Sequence, residues 1–171
     1  NHTNIRSLAY LFELFSNPIF PMPGMQEMIR YYDENGFTMG IVSNAQAYTP
    51  LFMNFFLNGR LEDGREIPPF RDDLTIYSYE LKRAKPDVTL FYNLSQVLYD
   101  RYNIEPSEAV YIGNDMLNDI FTANKAGFKT ILFAGDKRSL RWRNGHELVE
   151  GISPDFIVTS LDQLKEIIHR G

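Results

Sequence analysis

Short, wholly apolar stretches separated by segments of helical period run almost the length of this chain, and that rhythm restricts the fold more than any other feature. Met25, Met28, Ile29 and Tyr32 fall at i, i+3, i+4 and i+7, which predicts a helix that begins after Pro23-Gly24 and stops at Gly36. Residues 37–43 then read as a buried strand. Thr49-Pro50 predicts the next helix start, with Thr49 as N-cap, proline in the first turn, and Leu51, Phe52, Phe55 and Phe56 facing inward. After a polar loop over 58–73 the alternation resumes: strand 74–79, helix 87–102, strand 109–112, helix 116–126, strands 129–134 and 155–159. A final helix carries Leu161, Leu164, Ile167 and Ile168. Several of these strands are apolar without alternating, as expected where helices cover both faces of a parallel sheet. The expected fold is therefore α/β, a doubly wound parallel sheet whose ligands sit beyond the carboxyl ends of the strands, where strand order reverses. Ser43 and Asn114-Asp115 lie at such ends.

Residues 1–17 break the rhythm. Leu8, Leu11, Phe12 and Phe15 make an amphipathic helix with no strand before it, and its apolar face needs something to pack on. At 171 residues and 44% hydrophobic, the chain suffices for one packed domain with a small appendage, and a second full domain does not fit. A net charge of -5 gives no reason to expect nucleic acid as a partner, and any anion binding must be local. No apolar run approaches the roughly 20 residues of a membrane helix, so no membrane is expected either. The absence of cysteine excludes disulfides, thiolate metal sites and cysteine nucleophiles, and makes a reducing cytoplasm the default location. The chain starts Asn1-His-Thr rather than with methionine, so its true amino terminus is taken as unknown.

Three short stretches carry chemistry. Ser43-Asn44 sets a hydroxyl and backbone amides at a strand end, suited to an anionic oxygen, or alternatively to a turn that caps its own backbone. Lys85 precedes Pro86, and Asp87 can cap the helix that follows, so the ammonium is either a fixed cation at the start of an element or one solvated member of the run 82–85. In Tyr111-Ile-Gly-Asn-Asp-Met-Leu-Asn-Asp119 the glycine allows a tight turn off the strand, and Asp115 and Asp119 flank the start of a helix. Hard oxygens so placed suit magnesium; two acids at a helix amino terminus also suit its dipole without any metal.

Taken in order, Ser43-Asn44, Lys85-Pro86 and Gly113-Asn-Asp-Met-Leu-Asn-Asp119, followed by Ala123 and Ala126-Gly127, resemble the second, third and fourth motifs of the haloacid dehalogenase-like superfamily. The resemblance runs over 17–170. It implies a phosphatase that cleaves a small phosphorylated metabolite through an aspartyl-phosphate with Mg2+. Ser43 and Asn44 would then hold phosphate oxygens, Lys85 would neutralise charge on phosphate and nucleophile, and Asn114, Asp115 and Asp119 would position the metal. Family members usually have aspartate directly after the glycine, where this chain has Asn114 and then Asp115, so either could reach the metal. The family's first motif, Asp-x-Asp after a strand, has no counterpart in 1–23, where Glu13 is the sole acid. The resemblance thus implies a nucleophile on a preceding segment, inactivity of this stretch alone, residues 1–17 as the end of a helical cap, and 18–171 as a core without its first strand. In the family's strand order that strand lies between the one ending at Ser43 and the one ending at Gly113.

The competing reading is a catalytically inactive domain that binds a phosphorylated ligand or a protein. Dehalogenase activity is disfavoured by the acidic fourth motif, and a nicotinamide site by the lack of Gly-x-Gly-x-x-Gly after any strand. The run 137–143 holds either an acidic substrate tail or partner at the crevice mouth, or no ligand at all, as a basic surface loop. His2, His146 and His169 show no ligand spacing.

Overall fold

The computed structural model describes residues 8, 10–13, 15, 16, 20–60 and 66–169. Helix α1 (Met25–Glu34) is followed by strand β1 (Ile41–Ser43) and helix α2 (Thr49–Asn58). A 3-10 turn over Asp72–Leu74 leads into β2 (Thr75–Tyr77) and the short α3 (Ser78–Leu81). Helix α4 (Thr89–Val97) runs on as a π turn, Leu98–Tyr102, before β3 (Val110–Gly113). A π turn over Met116–Phe121 becomes α5 (Thr122–Lys125), then β4 (Lys129–Phe133), β5 (Phe156–Val158) and, after a 3-10 turn, α6 (Leu164–Ile167). Among the described residues no helix is long and apolar enough to cross a membrane.

Among the described residues every ladder is parallel, but the strands form two sheets. β1 pairs with β2, and β3 pairs with β4, which pairs with β5. No ladder joins β1 to β3.

Helices cover both faces. On one, Leu90, Phe91, Leu94 and Leu98 of α4 and its π turn pack with Val42, Leu74, Ala123 and Phe128. On the other, Tyr32 of α1 and Leu161 and Leu164 pack on Ile131 and Val158. Adjacent residues of β3 divide between them: Tyr111 joins the first cluster and Ile112 the second, as the strand period requires. Emptying a site such as that of Phe91, which is fully buried, would cost about 3–5 kcal/mol.

Several expectations shift. The strand expected over 37–43 ladders only at Ile41–Ser43, because β2 offers partners only from Thr75 onward. Gly40 sits against the Leu74 backbone so closely that a Cβ would overlap it, which is why glycine ends the approach to β1. In α2, Phe52 is buried but Phe55 is 43% exposed; the inward face is Pro50, Phe52 and Asn54, with Met53 and Leu57 packed on Ala45, Ile67 and Tyr77. A helix apolar on all sides gives the sequence no stripe from which to choose a face. Thr49 is not the N-cap, which is Tyr48; its hydroxyl instead accepts from Gln46 N at 3.2 Å.

At the amino end, residues 8, 10–13, 15 and 16 are helical. The expected apolar face stands exposed, Phe15 at 82%. The remainder of the expected cap segment (1–7, 9, 14 and 17), with 61–65 of the expected loop, lies outside the described residues.

Candidate active site at the break between the sheets

The turn off β3 is built around one carboxylate. Gly113 lies so close to the Asp119 side chain that no Cβ could be added, and this approach lets Asp119 Oδ2 accept from Asn114 N at 2.9 Å and Asp115 N at 3.0 Å. Asp119 Oδ1 accepts from Lys85 Nζ at 2.5 Å, with both side chains at least nine-tenths buried (8% and 7% exposed). The Lys85 ammonium spends its other two protons on Val42 O at 2.9 Å and the Tyr111 hydroxyl at 2.7 Å. Lys85 is therefore no solvated lysine: it lies between β1 and β3 and bonds to residues of both. Burial, and after it the Asp119 charge, raises the Tyr111 phenol well above its ordinary range, so it stays protonated.

Asp115 serves a different purpose. It is the N-cap of the turn that follows, Oδ1 accepting from Leu117 N at 2.9 Å and Asn118 N at 3.1 Å. Asn118 Nδ2 donates to Oδ2 at 3.0 Å, and Arg143 clamps both oxygens, Nε to Oδ1 at 3.0 Å and Nη2 to Oδ2 at 2.6 Å. Burial pushes this carboxyl up, but the Arg143 guanidinium and the two N–H groups outweigh it and hold the group below the usual carboxylate range. The Arg143 loop is stitched on by its backbone as well: Met116 N donates to Arg141 O and Arg141 N to Asn114 O, each at 2.9 Å, while Asn114 Nδ2 donates to Ser139 O at 3.0 Å.

On the other side, Asn44 brackets the Lys85 backbone, its Oδ1 accepting from Lys85 N at 2.8 Å and its Nδ2 donating to Lys85 O at 2.9 Å. Asn44 thus holds the lysine in place through its side chain. Ser43 ends β1 opposite Tyr77, and among the described residues its hydroxyl makes no hydrogen bond. Asp87 is not the N-cap of α4, which is Val88, but it stands one residue before it and accepts from Thr89 N at 2.9 Å.

The structure brings Ser43, Asn44, Lys85 and Asp119 into one neighbourhood, with Asn114 and Asp115 on the same turn. A magnesium site is not complete in these residues. Both oxygens of Asp115 and of Asp119 are already engaged, Asn114 Oδ1 is the one oxygen of the three side chains with no partner among the described residues, and no group of three or more acidic, His or Cys side chains there could hold a metal. A magnesium ion needs one or two available carboxylates. A groove of about 560 Å³ lined by Met116, Trp142, Arg143, His146 and Ile157 shares Arg143 with the Asp115 clamp but includes none of Ser43, Asn44 and Lys85.

Sequence reasoning missed two residues. Tyr111 carries no role in the motif by sequence alone, and a tyrosine in an otherwise aliphatic strand is the available signal. Arg143 stood within the run 137–143, whose charge hides which member folds inward; no sequence pattern singles it out.

Residues 6–133 match the family described as haloacid dehalogenase-like hydrolases. The chain is 30% identical over 69 residues to glyceraldehyde 3-phosphate phosphatase of Pyrococcus furiosus, an overlap of 40% of this chain and 27% of that protein. Its fold is similar to a HAD phosphatase from Thermococcus onnurineus (TM-score 0.63, 21% identity, 92% of this chain and 62% of that one). It is also similar to a HAD-hydrolase from Bacillus subtilis bound to magnesium (TM-score 0.63, 19% identity, 85% and 55%). The chain thus spans little more than half the length of these solved structures, and the matched part about a quarter of the curated relative.

Proposed function

Because the chain belongs to the haloacid dehalogenase-like hydrolases, we propose that it is the larger part of a magnesium-dependent phosphomonoesterase acting on a small phosphorylated metabolite, its attacking aspartate carried by a segment before residue 1. The observation that carries this reading is the placement of Lys85, whose buried ammonium lies in the break between β1 and β3 and bonds Val42 O, one residue before Ser43 at the end of β1. In this reading Ser43 donates to a phosphate oxygen, and Asn44 supports the site by bracketing the Lys85 backbone. Lys85 turns part of its charge towards the phosphate as negative charge builds up on it. Asp119 keeps the turn at Asn114 and Asp115 in place, and Asp115 keeps the helix start in place. Magnesium, when bound, would neutralise phosphate charge. From this chain it would draw on Asn114 Oδ1, and its carboxylate ligands would have to come from outside the described residues.

The test is phosphate release from a panel of phosphomonoesters by the full-length gene product, with magnesium and with chelator. Magnesium-stimulated release of inorganic phosphate is expected, and its absence across the panel overturns the reading. A non-catalytic domain that binds a phosphorylated ligand is the second reading, favoured by the engagement of both Asp115 and Asp119 with internal partners. Saturable phosphate binding without turnover in the full-length protein would select it.

A further inference from the structure

We propose that Tyr111 is a positioning residue that sets the phosphate affinity of Lys85, an inference that rests on the phosphatase reading above. The ammonium has three protons and three acceptors: Asp119 Oδ1 at 2.5 Å, Tyr111 OH at 2.7 Å and Val42 O at 2.9 Å. A phosphate oxygen can be bonded only if one of these is given up. Asp119 is the charged partner, and Val42 O is a buried carbonyl in the break. The phenol is the neutral partner that can rearrange. Its single proton goes to Val42 O at 2.8 Å, and Asp119 Oδ1 lies 3.3 Å away as a second acceptor. When Lys85 turns a proton from the phenol oxygen to a phosphate, the hydroxyl can rotate its own proton towards Asp119 while Lys85 keeps Val42 O satisfied. No buried group is left unpaired by the exchange, which is what makes it inexpensive. The ring is held for this by an edge-on contact with Phe91, centroids 4.7 Å apart at 86°.

Tyr111→Phe removes the exchange and keeps the packing. In the full-length protein we compare it with wild type for KM and kcat on p-nitrophenyl phosphate, for the inhibition constant of inorganic phosphate, and for Tm. Leu94→Ala, in the same core cluster but outside the network, is the packing control. The expected result is a Tyr111→Phe protein that melts somewhat below wild type, with KM and the phosphate inhibition constant each lowered about fivefold to tenfold, the effect of one hydrogen bond, because Lys85 then holds a proton that no internal acceptor has to give up. Leu94→Ala should lower Tm and leave both constants unchanged. Constants within twofold of wild type in Tyr111→Phe, the same change in Leu94→Ala, or failure of Tyr111→Phe to fold would each overturn the proposal. An inactive wild-type protein would overturn the phosphatase reading instead, and phosphate affinity by calorimetry on the same three proteins would then decide the role of Tyr111.

Discussion

The two sheet fragments end very differently at their carboxyl edges. Beyond β3, between Gly113 and Asn118, backbone N–H groups and side chains are taken up by Asp119, Asp115 and the Arg143 loop. Beyond β1, the Ser43 hydroxyl makes no hydrogen bond among the described residues and Asn44 reaches sideways to Lys85. One end is a pre-assembled anionic turn whose charges are already answered from within; the other is open. On the proposed reading an incoming phosphate gains little at the closed end and binds at the open one, drawing Lys85 as it does so. The comparison separates residues that hold the site together from residues that face a ligand, and three substitutions test that separation.

The largest effect is expected at the joint between the fragments. Asp119→Asn keeps an acceptor for Asn114 N and Asp115 N but removes the charge opposite the buried Lys85. An unpaired buried cation costs about 3–5 kcal/mol, which urea denaturation would read as a lower midpoint. Adding Lys85→Met to Asp119→Asn removes the stranded charge and should recover much of that loss. If the double variant is no more stable than the single one, the pair is not the electrostatic unit assigned here, and the closed end depends on the backbone contacts of Asp119 instead.

Arg143→Ala tests the same end more gently. The guanidinium is 38% exposed, so solvent screens it and a loss of about 1 kcal/mol is expected. Its pH dependence follows from the lowered Asp115 carboxyl. A carboxyl with a depressed folded pKa contributes stability that is fully present above its unfolded value of about 3.9 and is lost as pH falls through the folded value. The difference between wild type and Arg143→Ala should therefore be constant near neutrality and shrink below about pH 4. A difference that persists in acid would make Arg143 a packing residue.

These two acids also mark how far the sequence could be read. The alternation of periods yields the α/β order and the parallel pairing, because those follow from local pattern and from burial on both faces. The face of α2 is not legible, since Leu51, Phe52, Phe55 and Phe56 are equally apolar and only tertiary contact decides that Phe55 faces solvent. The partners of Asp115 and Asp119 are not legible either. Four residues apart on one turn, the two look like a matched pair of metal ligands, yet each is taken by a cation from elsewhere in the chain, Lys85 34 residues before Asp119 and Arg143 28 residues after Asp115. Spacing along a turn records which side chains share a neighbourhood, and not which long-range partner reaches them first.

Ser43→Ala should have the smallest effect on stability and, for that reason, discriminates best. The hydroxyl makes no hydrogen bond among the described residues, so its removal strands no partner and stability should stay within about 0.5 kcal/mol of wild type. If the open end faces phosphate, the same substitution removes a donor that acts only when ligand is present. In the full-length protein kcat/KM for a phosphomonoester should then fall about tenfold or more while Tm holds, because a donor aimed at developing charge is worth more than an ordinary hydrogen bond. A fall in Tm with unchanged kcat/KM would place Ser43 among the residues that hold the fold, and the contrast between a closed and an open end would collapse. Unchanged stability with lost turnover would instead show that the open strand end is reserved for the ligand.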